Sequence, residues 1–318
     1  MPKVRKGVIT AAGRGTRQFP ASAAVQKEMF TLVDRDGYTK PVIQIIAEEL
    51  IASGIEEICI VTQPGDESTY RNYFRAMTDA EAKVFKGKEW AVEQSRNLKD
   101  IGDRLHFVAQ HSPEGFGHAV YQAKAFVGDE PCVLMLGDHI YISEIKTRCT
   151  RQLIDVFEQN NCSAVTGVQP TLEKLLHLFG TIRGKPIDEA RGIYAAELII
   201  EKPSVEVARE RLATPGLPAG NYLAHFGIHV FSPAIFDSLE HLIRNDLREK
   251  NEIQLTAAQE HLRQNSERYW TAVVQGQRYD TGIPAGLMET QLALALNGVH
   301  RHEFCEAIAR ILAMQVRS

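Results

Sequence analysis

Through the first 140 residues, short runs of β-branched and apolar residues alternate with longer stretches of helical periodicity. The runs at 7–11, 57–62, 105–110 and 132–136 read as strands, and the stretches from about 41 to 53 and from 117 to 127 read as helices between them. Pro41 in a first helical turn and Gly54 just past the last one fit the usual start and stop signals. Such alternation predicts parallel strands joined by crossover helices. Residues 63–104 are polar and charged, and 81–99 reads as an exposed helical excursion carrying Trp90 and Val92, a surface insertion. Beyond 141 the pattern predicts a helix at 146–159, a strand at 164–168, shorter strands at 180–182, 195–201 and 223–231, and then several helices, with more antiparallel character. No repeat, low-complexity tract or Gly/Ser linker separates the halves, so both are expected to share one continuous sheet. In the tail, 300–316, Phe304, Ile308, Ile311 and Leu312 recur at helical spacing. That apolar face is expected to pack on its own domain, a contact between copies of the chain being the alternative.

Composition narrows the class. With 318 residues, 44% hydrophobic and 24% charged, the chain has ample material for a core and is expected to fold throughout. A formal net charge of -4 removes the basic footprint of a general nucleic-acid binder, so phosphate is expected to be bound locally. The five cysteines, Cys59, Cys132, Cys149, Cys162 and Cys305, are widely spaced and odd in number, which argues against a zinc ribbon or a disulfide framework. Arg14 and Arg17 interrupt the N-terminal apolar stretch too early for a signal sequence, and no window reaches the ~20 apolar residues of a membrane span. A cytoplasmic protein with reduced thiols and no membrane partner is the expectation.

The segment after the first strand, Ala11-Ala12-Gly13-Arg14-Gly15-Thr16-Arg17, carries the most chemistry. Gly13 and Gly15 let the backbone turn tightly and bring its N–H groups against a polyphosphate, while Arg17 adds a permanently charged bidentate donor. Lys27, ten residues on, is a second cation for the same loop. No Gly-Lys-Ser/Thr follows at the Walker spacing, and the dinucleotide pattern would need glycine where Gln18 stands. By itself a tight strand-to-loop turn would use the same glycines.

The longer context, Ala12-Gly13-x-Gly15-Thr16-Arg17-x-x-Pro20-x-Ser22 followed by Lys27-Glu28-Met29 and Leu32-Val33-Asp34, resembles the signature of the nucleotidyltransferases that make nucleotide sugars. Within that family, Lys27-Glu28-Met29 looks like the bacterial UTP-glucose-1-phosphate uridylyltransferases. The resemblance runs over about residues 5 to 298 with its motifs in order. It implies a Rossmann-like α/β fold with a mixed, mostly parallel central sheet flanked by helices. Residues 1–140 would form the nucleotide-binding half, and 141–318 the sugar-phosphate half of the same continuous domain. It also implies UTP and glucose 1-phosphate as substrates and Mg²⁺ as cofactor. Ala11, Ala12, Gly13, Gly15, Thr16 and Glu28 fall at nucleotide-binding positions, with Arg17 and Lys27 on the triphosphate.

Further motifs follow in chain order. Gln110 and the Gly117-His118-Ala119-Val120 helix start match a base-reading glutamine and its glycine turn. The amide can donate and accept on a pyrimidine edge, and the helix start offers backbone N–H groups. Asp138 ends the buried run 132–136, where open α/β sheets bind ligands. The resemblance makes it a Mg²⁺ ligand together with Asp280 of Tyr279-Asp280-Thr281-Gly282; from the residues alone, Asp280 reads as a turn or N-cap. His139 beside Asp138 is read without a metal or acid/base role, because the nucleophile of such a reaction is already anionic. Gly180 after Phe179 matches a glycine that lets a hexose approach the backbone. Glu201 and Lys202, at a strand end stopped by Pro203, match the sugar-hydroxyl and sugar-phosphate contacts, a solvated strand tip being the plain alternative. Asn251-Glu252-Ile253-Gln254-Leu255-Thr256-Ala257 closely resembles a segment of the same enzymes. The chain departs from them at Gln26, at Ala23, in the 35–39 turn and in Gly137-Asp138-His139. Those changes leave open another nucleotide or sugar, or a homologue that binds nucleotide sugar without turnover.

Overall fold

The computed structural model describes residues 3–266 and 268–315. Its strands are β1 (Lys6–Ala11), β2 (Thr31–Val33), β3 (Thr39–Pro41), β4 (Glu57–Thr62), β5 (Leu105–Ala109), β6 (Cys132–Leu136), β7 (His139–Ser143), β8 (Ala164–Leu172), β9 (Thr181–Asp188), β10 (Ile193–Ile200), β11 (Asn221–Phe231), β12 (Tyr269–Val273) and β13 (Gly276–Asp280). Nine of them form one sheet in the order β5-β4-β1-β6-β11-β8-β12-β10-β9. β5, β4, β1 and β6 are parallel neighbours, β12 is parallel to β8, and β11 and β10 run against both of their neighbours. Seven of the nine strands therefore point one way, the mixed and mostly parallel sheet that the resemblance implies.

Parallel strands covered on both faces need apolar residues on both faces. β1 meets this with adjacent residues in different layers: Ile9 joins a core with Ile43, Ile46 and Leu50, and Val8 joins a core with Val120, Phe236 and Leu239. The helix Val42–Ala52 buries Val42, Ile43, Ile46, Ala47 and Leu50 at the i, i+4 spacing of one helical face. Each of the valine, isoleucine and leucine side chains contributes roughly 1.5–3 kcal/mol. Gly54, at φ 96°, ends the segment as expected.

Several predicted elements differ. The expected helix at 117–127 is two short ones, Phe116–Tyr121 and Lys124–Val127. The 81–99 excursion divides into Asp79–Val84 and Glu89–Gly102, with Gly87 at φ 79° between them. The 63–104 segment is also more than a surface insertion, because Tyr70 and Phe74 are buried in the core beside β5. Trp90 stacks on Tyr38 of the 35–39 turn, which is the tip of the β2–β3 hairpin. The helix predicted at 146–159 starts later, as Cys149–Asn160. In the final helix, Arg301–Gln315, Phe304 and Ile308 are half-buried while Ile311 and Leu312 are exposed; Val316 lies outside the described residues. The five cysteines are unpaired thiols, four of them buried. Among the described residues no helix is long and apolar enough to cross a membrane.

Candidate active site

β1 and β6 pair in parallel with Thr10 opposite Leu136, so the loops that follow them open at one edge of the sheet. Gly137 donates its N–H to Thr10 O at 3.0 Å, and a Cβ there would lie 2.5 Å from the same oxygen, so the close approach requires glycine. Gly15 takes the left-handed conformation at φ 60° and starts the turn Thr16–Gln18. Among the described residues no acceptor takes the N–H groups of Gly13, Arg14, Gly15 or Thr16, which leaves them available to an anion. Lys27 folds back beneath this loop, its Nζ 3.6 Å from where a Cβ on Gly13 would stand.

Asp138 and Asp280 meet through the small β7–β13 ribbon, in which Asp280 stands opposite His139. Asp280 is the last residue of a strand and leads into a turn, its Oδ1 accepting the N–H of Gly282 at 2.8 Å, so of the two local readings the turn holds and the N-cap does not. Thr281 donates both its N–H and its hydroxyl to Asp138 O, each at 2.8 Å, and Gln18 Nε2 donates to Thr281 O at 2.7 Å. The Arg17 turn, the end of β6 and the end of β13 are thus tied together. A Cβ on Gly282 would meet Asp138 Oδ2 at 2.6 Å, Asp280 Oδ1 at 2.8 Å and Arg17 Nη2 at 3.0 Å, so these three groups face one small space. Ligand atoms of Asp138, His139 and Asp280 all lie within 4.8 Å of one another. Arg17 is 3.7 Å from Asp280 Oδ2, a loose pair with the guanidinium mostly in solvent.

Burial pushes the Asp138 carboxyl up, but the His139 ring, donating to Oδ1 at 2.9 Å, and the Lys27 ammonium on Oδ2 together hold it well below the usual carboxylate range. Burial likewise works against the Lys27 ammonium, which Asp138 and Glu28 nevertheless keep above its ordinary value. Glu28 is 1% exposed, neither carboxyl oxygen has a hydrogen-bond partner among the described residues, and burial pushes its pKa up to about 8. Between its ordinary value of 4.5 and that value, the folded protein keeps a proton that the unfolded chain has released. Stability therefore falls as pH rises through that window. Glu28→Gln is expected to gain in Tm over the wild type as pH rises from 5 to 8, and calorimetric melts across the range check it. A gap that stays constant with pH would mean that Glu28 is ionised in the fold.

The remaining sequence-predicted residues stand around this centre. Gln110 is buried at the end of β5, its Nε2 shared between Gly115 O at 3.3 Å and His118 Nδ1 at 3.0 Å. Gly117 does not present a free N–H, since it donates to Ile253 O at 2.8 Å and so pins its loop to the 251–257 segment. Lys202 takes φ 46°, donates its N–H to Phe179 O at 3.2 Å, and carries its ammonium 3.4 Å from Glu201. Beside Gly180 the space is already occupied: a Cβ would meet His225 Nδ1 at 2.7 Å and Thr256 Cγ2 at 2.9 Å. Gln18, His225, Arg278, Thr281 and Gly282 were not singled out from the sequence. A polar His225 inside the largely apolar strand β11 was the available signal; Arg278 stands in the polar run Gly276-Gln277-Arg278, which offers none.

A family model described as nucleotidyl transferase matches residues 6–296, and the chain belongs to that family. It is 38% identical over 298 residues to the UTP–glucose-1-phosphate uridylyltransferase of Streptococcus pneumoniae, an overlap of 92% of this chain and 91% of that one. A UTP-bound UGPase from Acinetobacter baumannii has the same fold, with a TM-score of 0.77 at 26% identity over 96% of this chain and 99% of that one. A UDP-glucose pyrophosphorylase complexed with UDP-glucose matches with a TM-score of 0.72 at 26% identity, over 91% and 98%.

Proposed function

We propose that this chain transfers the uridylyl group of UTP to glucose 1-phosphate, forming UDP-glucose and pyrophosphate. The observation that carries the reading is the meeting of Arg17, Lys27, Asp138 and Asp280 at one sheet edge, below a loop with unclaimed N–H groups. The relatives named for this reaction supply the substrate pair.

Two carboxylates facing one small space, one of them firmly ionised, form the hard oxygen donor set that Mg²⁺ prefers. Asp138 and Asp280 would hold it, and when bound it neutralises charge on the reacting phosphates. Arg17 and Lys27 bind the triphosphate against the N–H groups of Gly13 to Thr16. Ala11, Ala12 and Glu28 shape the floor of that loop. The free Oε1 of Gln110 accepts from the uracil edge. Lys202 orients the phosphate of glucose 1-phosphate, with Glu201 and Gly180 on the hexose side. A phosphate oxygen of the sugar forms a bond to the α-phosphorus of UTP. The bond from that phosphorus to the bridging oxygen breaks, and its electron pair leaves with pyrophosphate. The attacking oxygen is anionic, so positioning and charge neutralisation suffice without a base.

In this reading residues 1–140 serve the nucleotide and 141–318 the sugar phosphate within one continuous domain, and the enzyme works in the cytoplasm where UTP is made. The uncovered Ile311 and Leu312 support a homo-oligomer. Pyrophosphate release with UTP, Mg²⁺ and glucose 1-phosphate, run beside dTTP, CTP, ATP, GTP and other sugar phosphates, tests the function. Turnover is expected with the named pair; turnover only with another pair would move the specificity, and silence across the panel would overturn catalysis.

A further inference from the structure

Arg278 is the one guanidinium of the β7–β13 ribbon, opposite Tyr141 and two residues before Asp280, so both side chains share a face of β13. Its planar group lies 3.7 Å from the ring centroid of Phe179, whose carbonyl holds the N–H of Lys202. Its Nη1 is buried and has no hydrogen-bond partner among the described residues. Two more polar atoms nearby share that condition: Nε2 of His225, whose N–H is donated to Gly180 O at 2.8 Å, and Oγ1 of Thr256, whose methyl faces Gly180. Buried polar atoms are almost always paired, so three unpaired ones, two on residues packed against Gly180 and one on the arginine stacked over the adjacent Phe179, mark a place where hydrogen-bonding capacity awaits a partner. Burial lowers the Arg278 pKa to about 10, which leaves the guanidinium charged at neutral pH.

We propose that Arg278, backed by His225 and Thr256, is a specificity-determining residue of the sugar side, its free Nη1 donating to an oxygen of the hexose. This rests on the reading of the chain as a sugar-1-phosphate uridylyltransferase. Asp280 serves the phosphate end and Lys202 the phosphate itself, so a group one strand step beyond Asp280 and stacked over Phe179 meets the ring carrying that phosphate. A site built to hydrogen-bond a substrate hydroxyl rejects the analogue that lacks it, because its own buried donor is then left unpaired. The substrate class is therefore a hexose 1-phosphate with oxygen at the facing carbon.

The test compares wild type, Arg278→Met, which keeps most of the side-chain length, and Arg278→Lys, which keeps the charge, by pyrophosphate release with UTP. Substrates are glucose 1-phosphate and its 2-, 3-, 4- and 6-deoxy analogues. Wild type is expected to disfavour one deoxy analogue by about 10-fold or more in kcat/KM. Arg278→Met is expected to raise KM for glucose 1-phosphate by a similar factor, leave KM for UTP within about 2-fold, and lose the discrimination at that one carbon, with Arg278→Lys intermediate. An unchanged sugar-phosphate KM, an equal rise in both KM values, or discrimination that survives in every variant overturns the role of Arg278 and leaves the function standing. If Arg278→Met does not fold, the same outcomes are read from Arg278→Lys. A wild type silent with UTP and glucose 1-phosphate overturns both.

Discussion

Asp138→Asn is expected to lower kcat by about 10³-fold, ~4 kcal/mol of barrier, in a protein that stays folded and keeps nearly normal KM values. The backbone of Asp138 is held independently of its carboxylate, since its carbonyl receives both the N–H and the hydroxyl of Thr281. Asparagine has the same shape, so those bonds and the turn at Gly137 survive. What disappears is a charge that His139 and Lys27 keep ionised despite burial, in the space shared with Asp280 and Arg17. Positioned charge is most of what this class of reaction asks of a protein. Steady-state pyrophosphate release and a thermal melt check it together, and near-normal turnover in the mutant would remove Asp138 from the reacting centre.

Lys27→Met is expected to fail differently, with turnover down by about 10²-fold or more, KM for UTP raised, and stability lowered by ~3 kcal/mol at pH 8. Lys27 is the cation bonded to Asp138 and 3.6 Å from Glu28, and its side chain is only 14% exposed. Removing it leaves Asp138 with His139 alone and Glu28 with no cation beside it. The loss should shrink near pH 5, where Glu28 is protonated whether or not Lys27 is present, because its folded pKa is already raised to about 8. Melts at pH 5 and 8 beside substrate titrations separate this from Asp138→Asn. A mutant with normal KM for UTP and an undisturbed melt would show that Lys27 faces neither the triphosphate nor a buried charge.

The parallel half of the fold was legible because buried strands such as 57–62 and 132–136 are continuous apolar runs, and both appear at the predicted bounds. The β7–β13 ribbon was not legible. Gly276-Gln277-Arg278 has no apolar alternation, and 139–143 follows Asp138 too closely to read as a fresh strand. The site inherited that blindness. Arg17, Lys27 and Asp138 announce themselves by loop glycines and by a strand end. The residues alone left Asp280 a turn, because its position depends on pairing with a distant segment. The same holds for Gly117, whose N–H goes to Ile253 across 136 residues of chain, and for His225 and Arg278, which only the folded sheet brings to Phe179 and Gly180.

The contact between Asp138 and Thr281 closes 143 residues of chain. At the ~5–20 residues per second of synthesis, roughly 7–30 s separate the appearance of the first carboxylate from that of the second. During that interval β1, β4, β5 and β6 are all available to pair, and the glycine loop sits at their edge. The nascent chain can therefore pair these four strands and form the glycine loop long before Asp280 is made. On the proposed reading, competence for chemistry arrives with a closure over 143 residues, and contacts of such long sequence separation are the slow kind to make. Under the proposed roles, a chain that stops short of Asp280 would hold nucleotide without the second carboxylate of the site.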